Sequence, residues 1–234
     1  MNKIKIIRLL IITISIINLI LLINMFNKLN NEKGTKIKYV TKNTTCTWDV
    51  RANKKDKFVF LGDSITEWYP IEDMYGKDIP IINSGVAGYE TKDILDRMYE
   101  MVYKYNPTKV FILIGTNDLK YKENDEDIVI NNIKRIIGEI QVNVPDTEIY
   151  FQSIYPVNKN LEGNATEDRN NEEINRVNKE IKEFCKINNV IYIDMYKILS
   201  DSKGDLVEKY TKDGLHLSTL GYMKVTQKLL AYMQ

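Results

Sequence analysis

Short apolar runs alternate with longer amphipathic stretches from Lys57 to the end of the chain. The short runs are apolar throughout rather than at every second residue, which is typical of strands covered on both faces. The longer stretches repeat apolar residues at helical spacing. This alternation predicts an α/β fold with a parallel sheet between two layers of helices. The expected strands are residues 58–61, 79–82, 110–114, 148–151 and 190–193, and the expected helices are residues 91–105 (capped by Thr91), 125–142, 172–187 and 218–233.

A separate apolar segment, residues 6–23, follows a short basic start with Lys3 and Lys5. Its length lies at the short end of what spans a bilayer, so we expect residues 1–26 to form a membrane-anchor helix. Residues 21–26 are bulky and provide no small-residue cleavage site, which favours an uncleaved anchor over secretion after signal cleavage. The basic-then-apolar order favours an extracytoplasmic domain, although lysines on both sides leave the charge comparison undecided.

Residues 27–56 are polar and show no sustained period, so we interpret them as a linker to a single domain over residues 57–234. The formal net charge of +1 provides no basic field for binding nucleic acid. Cys46 and Cys185 are the two cysteines. Their number and spacing exclude a disulfide framework and a cysteine-rich metal site, and leave one optional bridge.

Four polar, glycine-bearing turns lie at the ends of predicted elements. Residues 62–64, 83–85 and 115–118 each follow a predicted strand, and residues 213–216 precede the last predicted helix. In open parallel sheets, ligands bind at the carboxyl ends of the strands. We therefore expect these turns to share one edge of the sheet and to form the functional site.

The residue types in these turns suit acyl transfer. A serine hydroxyl such as that of Ser64 becomes a good nucleophile when a base takes its proton, and a third group must orient that base. His216 is the single histidine of the chain, and Asp213 lies three residues before it. Because Thr66 stands where the Gly-x-Ser-x-Gly elbow has its second glycine, the α/β-hydrolase alternative is weakened.

Acyl transfer also needs hydrogen-bond donors aimed at the oxyanion of the tetrahedral intermediate. Three candidates are the backbone N–H of Ser64, the backbone N–H of Gly85 and the side-chain amide of Asn117. Each of these residues also has a purely structural explanation, as a cap or a turn. Their occurrence together, in order and at strand ends, favours function.

These blocks resemble the SGNH, or GDSL-type, esterases and lipases over residues 57–234. The matching stretches are Gly62-Asp63-Ser64-Ile65-Thr66, Asn83-Ser84-Gly85-Val86-Ala87-Gly88, Gly115-Thr116-Asn117-Asp118 and Asp213-Gly214-Leu215-His216-Leu217. The resemblance implies a flavodoxin-like three-layer α/β/α sandwich that needs no metal or cofactor. It also implies that Ser64 is the nucleophile and an oxyanion donor, that Gly85 and Asn117 complete the oxyanion hole, and that His216 is the base oriented by Asp213.

The substrate is expected to be a small-molecule or glycan ester with a small acyl group such as acetyl. Trp68, Tyr69 and Tyr89 lie close to the motif blocks and are candidates to line an acyl or sugar pocket. The loops between the blocks are short, apart from residues 158–170, and no insertion is long enough to form a lid. Together with an extracytoplasmic anchor, this suggests deacetylation of cell-surface glycans.

Three other functions remain open at this point. A lysophospholipase or thioesterase would suit a membrane tether. An O-acetyltransferase would use the same triad to pass the acyl group to a sugar hydroxyl. A membrane-anchored binding module with an inactive site is a further alternative, but a binding role would not require all four blocks.

Overall fold

The computed structural model describes residues 17, 20–21, 35–41, 44–50, 56–120, 125–161 and 165–233. Most of the predicted anchor, residues 1–26, lies outside these residues, and the three described there are helical and exposed. Within the described residues, no helix is both long enough and apolar enough to cross a membrane. The anchor and the location of the domain stay predictions.

A β-hairpin lies within the region that we interpreted as a linker. Strand β1, Thr35–Thr41, pairs antiparallel with strand β2, Thr44–Val50. These two segments are therefore strands rather than irregular chain, and the role of residues 27–56 as a linker to the domain stays a prediction. Polar residues dominate their composition, but the register pairs Ile37 with Trp48. β-branched and aromatic residues of this kind, together with threonines, favour strands even in a polar segment.

The main sheet has five parallel strands in the order β4-β3-β5-β6-β7. These strands are β3 Phe58–Gly62, β4 Ile81–Gly85, β5 Lys109–Leu113, β6 Glu148–Gln152 and β7 Ile191–Ile193. Counted within this sheet the order is 2-1-3-4-5, which is that of flavodoxin-like folds. The predicted parallel sheet is confirmed, and each predicted strand overlaps an observed one.

Three of the four predicted helices are continuous and begin at side-chain caps. The caps are Asp125, Asn170 and Ser218, each of which accepts a hydrogen bond from a backbone N–H of the first turn. The described helices are α1 Ser64–Glu67, α2 Ile71–Tyr75, α3 Thr91–Leu95, α4 Met98–Met101, α5 Glu126–Asn143, α6 Asn171–Ile187, α7 Met195–Leu199 and α8 Thr219–Leu229.

The helix expected over residues 91–105 is broken into α3, α4 and a 3₁₀ turn, Tyr103–Tyr105. Its N-cap is Glu90 rather than Thr91, because Glu90 and Asp93 form a reciprocal capping box. Thr91 instead donates its N–H and its hydroxyl to the carboxylate of Asp118. The Asp118 carboxylate thus connects the start of α3 to the turn after β5.

Alternate residues of the strands point into two separate hydrophobic cores. Val59, Leu61 and Val110 belong to the core that α5 and α6 cover. Phe60 and Phe111 belong to the core on the opposite face, with residues of α2, α7 and α8. The sheet is therefore buried on both faces, as its continuous apolar strands predict, and the three-layer sandwich is confirmed.

We expect Ile133→Ala to lower the free energy of unfolding by about 2–5 kcal/mol, because it empties a fully buried position of α5. The matched control is Ile128→Ala in the same helix, where the side chain is 57% exposed. This control should change stability by no more than about 0.5 kcal/mol. Urea unfolding measures both, and equal losses in the two variants would contradict the assigned packing.

Candidate active site

The sheet register brings three of the four predicted turns together. Gly62 at the end of β3 pairs with Gly85 of β4 on one side and with Leu113 of β5 on the other. The chain then leaves β3 and β5 on either side of the point where the strand order reverses, which is where ligands bind in such sheets. Ser64 and Asn117 therefore lie at one edge of the sheet, as the sequence predicts.

A glycine at each of two positions lets the Ser64 helix lie close to the sheet. A Cβ at Gly62 would lie 2.3 Å from Thr66 Oγ1 of this helix and 2.3 Å from the carbonyl oxygen of Leu113 in the next strand. A Cβ at Gly85 would lie 2.2 Å from the backbone nitrogen of Glu67. Asp63 caps this helix by accepting a hydrogen bond from the Ile65 N–H at 2.9 Å. Ser64 is therefore held at the first turn of the helix.

Ser64, His216 and Asp213 form a continuous chain of hydrogen bonds. Ser64 Oγ lies 3.1 Å from His216 Nε2, and His216 Nδ1 lies 2.7 Å from Asp213 Oδ2. A carboxylate accepts, so Nδ1 carries the proton in the neutral ring and Nε2 is left to accept from the serine hydroxyl. Ser64 and His216 are 152 positions apart in the sequence, and the fold brings them together with Asp213.

The Asp213 carboxylate is fixed by its own loop. Its Oδ1 accepts the backbone N–H groups of Leu215 and His216 at 3.0 and 2.8 Å. Partial burial opposes ionisation, but the hydrogen bonds from His216 and from these N–H groups outweigh it and lower the pKa of Asp213. The carboxylate therefore stays ionised and orients the imidazole.

The loop that carries His216 depends on Gly214 and Thr211. Gly214 has a φ of +88°, and a Cβ there would lie 2.3 Å from the Asn158 carbonyl oxygen. The Thr211 hydroxyl accepts the Gly214 N–H and donates to the His216 carbonyl. The Thr211 bonds are local, whereas Gly214 is required by the close approach of the Asn158 backbone from another loop, and the Asn158 N–H also donates to the Gly214 carbonyl.

The expectation that Gly85 is an oxyanion donor is corrected. Its N–H donates to Oδ1 of Asn83 at 3.0 Å, while the Asn83 amide donates to the carbonyls of Thr66 and Glu67. This N–H is therefore already committed to Asn83. Gly85 is required because the helix backbone leaves no space for a side chain.

Gly88, three residues further along the same block, has the properties expected of such a donor. It is exposed, its φ is +81°, and a Cβ there would meet nothing within 4 Å. Within the described part of the chain, no acceptor binds its N–H. The next residue, Tyr89, accepts a hydrogen bond from the Asn117 amide through its carbonyl, so the Gly88 turn lies beside Asn117.

Comparison with known proteins identifies the family. A sequence profile of the GDSL-like Lipase/Acylhydrolase family matches residues 60–224, which include Ser64, Asn117 and His216. The chain belongs to this family. The resemblance drawn from the four motif blocks is thereby confirmed.

Solved structures of GDSL-type proteins share the fold. A protein from Streptococcus pneumoniae, provisionally described as a platelet activating factor, is 35% identical with a TM-score of 0.72, over 76% of this chain and 84% of that one. A GDSL-like lipase from Bacteroides thetaiotaomicron has a TM-score of 0.68 at 24% identity, over 77% of this chain and 88% of that one. At this lower identity the likeness shows the fold alone.

A curated relative carries a different name. The N-acylneuraminate cytidylyltransferase of Escherichia coli O18:K1:H7 is 28% identical over 163 residues, which are 69% of this chain and 36% of that protein. The chain thus spans little more than a third of that relative's length. The match covers only that part of the larger protein.

The three aromatic residues that we expected around the pocket have different positions. Trp68 is 51% exposed, and its ring centroid lies 4.3 Å from that of His216. Tyr89 is partly buried against the core. The expectation for Tyr69 is wrong, because its ring is buried and its hydroxyl is bonded to Tyr75 and Thr226. Of these three residues, Trp68 is the one that presents an open aromatic surface beside the triad.

Two buried ionisable side chains, Asp63 and Arg169, have no role predicted from the sequence. Asp63 has no exposed surface, and no residue of the described chain binds its Oδ2. Burial raises the pKa of Asp63 to about 7, against the Ile65 N–H and the charge of Arg169, which lower it. Arg169 is itself 2% exposed. Arg169 lies in the loop before α6 and outside the four motif blocks, so no sequence pattern pointed to it.

We expect Asp63→Asn to become more stable relative to the unmodified protein as the pH rises from about 4 to about 7. The pKa of Asp63 is raised to about 7 in the folded state, above its unfolded value of about 3.9, so the folded protein binds the extra proton in this window. Stability from that proton is complete below the unfolded pKa and is lost as the pH rises through the folded one. Asparagine keeps the acceptor for the Ile65 N–H and does not titrate.

Urea unfolding at a series of pH values gives the stability difference between the two proteins. A flat difference across this range would show that the buried carboxyl of Asp63 does not titrate there.

Proposed function

We propose that this GDSL-family chain is a serine esterase that hydrolyses carboxylic esters through an acyl-enzyme on Ser64. The observation that carries the proposal is the hydrogen-bonded chain from Ser64 Oγ through the His216 ring to Asp213. A hydroxyl, a base and an orienting carboxylate in this order form the arrangement that activates a serine nucleophile. No cofactor is needed for this reaction.

In the acylation step, Ser64 Oγ attacks the ester carbonyl carbon while its proton passes to His216 Nε2. The tetrahedral intermediate collapses when its bond to the alcohol oxygen breaks and Nε2 returns the proton to that oxygen. In deacylation, water takes the place of the alcohol, gives its proton to Nε2 and attacks the acyl carbon. The bond to Ser64 Oγ then breaks, and Oγ recovers the proton.

The negative charge on the carbonyl oxygen would be bound by three donors at the sheet edge. These are the N–H of Ser64 at a helix start, the N–H of Gly88 and the side-chain amide of Asn117. In the described residues neither backbone N–H has an acceptor, so both are available to an oxyanion. Each such donor contributes roughly 3–4 kcal/mol to transition-state stabilisation in other hydrolases.

We propose a small acyl group on a sugar as the substrate. Trp68 offers its exposed ring beside His216, where it can pack against a sugar face. The curated relatives are named for N-acylneuraminate, a sugar that carries an acyl group as an amide, so their name supports a sugar ligand rather than the ester itself. A cell-surface glycan would be within reach of a domain that the predicted anchor holds outside the membrane.

Ser64→Ala should lower kcat for p-nitrophenyl acetate by at least about a thousandfold, because it removes the nucleophile. The purified protein should also lose labelling by a fluorophosphonate probe. Ser202→Ala, at an exposed serine in a turn, is the matched control and should retain full activity and labelling. Retained activity in Ser64→Ala would contradict the assignment.

We expect kcat/KM to fall steadily from acetyl to octanoyl in a series of p-nitrophenyl esters, because most loops between the motif blocks are short and the sequence has no insertion that predicts a lid or a long acyl groove. Acetylated glycan should release acetate. Trp68→Ala should raise KM for the glycan more than for p-nitrophenyl acetate, since the small ester has no sugar to pack on the ring. A preference for octanoyl esters would favour a lysophospholipase or thioesterase instead.

A further inference from the structure

Arg169 lies in a loop before α6 and carries a charge with almost no exposed surface. A buried guanidinium is tolerated only when its donors are bound, so its partners show what holds it there. Two bonds are local, from Nη1 to the carbonyls of Ala165 and Thr166 at 3.2 and 3.4 Å. The shorter two reach across to the loop after β5. They run from Nε to the Thr116 carbonyl at 2.6 Å and from Nη2 to Asn117 Oδ1 at 2.8 Å.

These contacts determine which way the Asn117 amide faces. A guanidinium only donates, so Oδ1 must face Arg169, and the Tyr89 carbonyl only accepts, so Nδ2 must face Tyr89 at 3.0 Å. The two partners therefore agree on one orientation. An amide nitrogen has two protons, and the bond to Tyr89 uses one of them. The second N–H is left for the oxyanion.

A second contact fixes the same two loops to each other. Glu167 lies 3.0 Å from the ammonium group of Lys120 and 3.6 Å from the guanidinium of Arg169. Lys120 belongs to the short 3₁₀ turn that begins just after Asn117. Glu167 adopts a φ of +48°, which is unfavourable for a residue with a side chain and persists only where surrounding contacts hold it.

We propose that Arg169 is a positioning residue for catalysis, which holds the Asn117 amide with an N–H directed at the oxyanion. Its charge on Oδ1 also polarises the amide and strengthens the N–H as a donor. Arg169 touches neither substrate nor the reacting atoms and acts through Asn117. This inference rests on the proposed esterase function.

The test is a double-mutant cycle between Arg169 and Asn117 on p-nitrophenyl acetate. Asn117→Ala should lower kcat by about 10²–10³-fold, as loss of one oxyanion donor does. Arg169→Met should lower kcat by about 10–10²-fold and change KM by less than about threefold, because the donor is misplaced rather than removed. In the Asn117→Ala background, Arg169→Met should change kcat by less than about threefold, since its target is gone. Losses that multiply in the double variant would overturn the proposal.

Two further variants separate positioning from general damage to the fold. Arg169→Lys keeps the charge but lacks the planar fork whose Nε and Nη2 bond Thr116 and Asn117 from separate nitrogens, so kcat should fall between the unmodified protein and Arg169→Met. Arg176→Met is the matched control, because Arg176 is exposed and pairs with Glu126 on the surface. It should keep full kcat. Full activity in Arg169→Lys and Arg169→Met would overturn the proposal.

A readout that does not depend on turnover covers the case in which the proposed function fails. The two amide protons of Asn117 give a resolved pair of peaks in a ¹H–¹⁵N spectrum, assigned through Asn117→Ala. This pair should shift in Arg169→Lys and stay in place in Arg176→Met. If Ser64→Ala remains active, the esterase assignment fails; if the Asn117 pair does not move, the positioning role fails.

Discussion

The close approach of three backbone segments at the end of β3 is the constraint on which the site depends. Gly62 lies against the Leu113 carbonyl, and Gly85 lies against the backbone nitrogen of Glu67. Both contacts are too close to leave space for a Cβ atom. These glycines let the Ser64 helix begin directly at the sheet edge, between the turns that follow the neighbouring strands. The reactive hydroxyl is therefore placed by backbone packing, and His216 reaches it from a loop that is braced separately.

The sequence predicted the parts of the fold that depend on local pattern. Continuous apolar runs identified the buried parallel strands, and apolar residues at helical spacing identified the helices that begin after Asp125 and Ser218. The one cap predicted from the sequence, Thr91, is not the N-cap of its helix. The triad could be predicted because the chain has a single histidine. The position of Tyr69 could not, since an aromatic residue near a motif packs in the core or lines a pocket according to contacts with residues such as Thr226, far along the chain.

The choice of oxyanion donor also could not be predicted from the sequence. Gly85 and Gly88 belong to one motif block, and both are glycines for a physical reason, but the reasons differ. Gly85 avoids a clash with the helix backbone, whereas Gly88 adopts a positive φ in open space. Spacing alone does not separate these two needs. The bond from Gly85 to Asn83 separates them, because it shows which N–H is already used.

The site contains two carboxyl groups, those of Asp213 and Asp63, whose pKa values are shifted in opposite directions. Asp213 is partly solvated and hydrogen-bonded, so it stays ionised and can stabilise the imidazolium that forms during acyl transfer. Asp63 is buried behind the nucleophile, where ionisation is disfavoured and the charge of Arg169 offsets only part of the penalty. An uncompensated charge there would add a negative field close to the developing oxyanion. The Arg169 guanidinium bonds Asn117, and its charge also favours the ionised form of Asp63. One buried side chain thus contributes to the donor geometry and to the local charge balance.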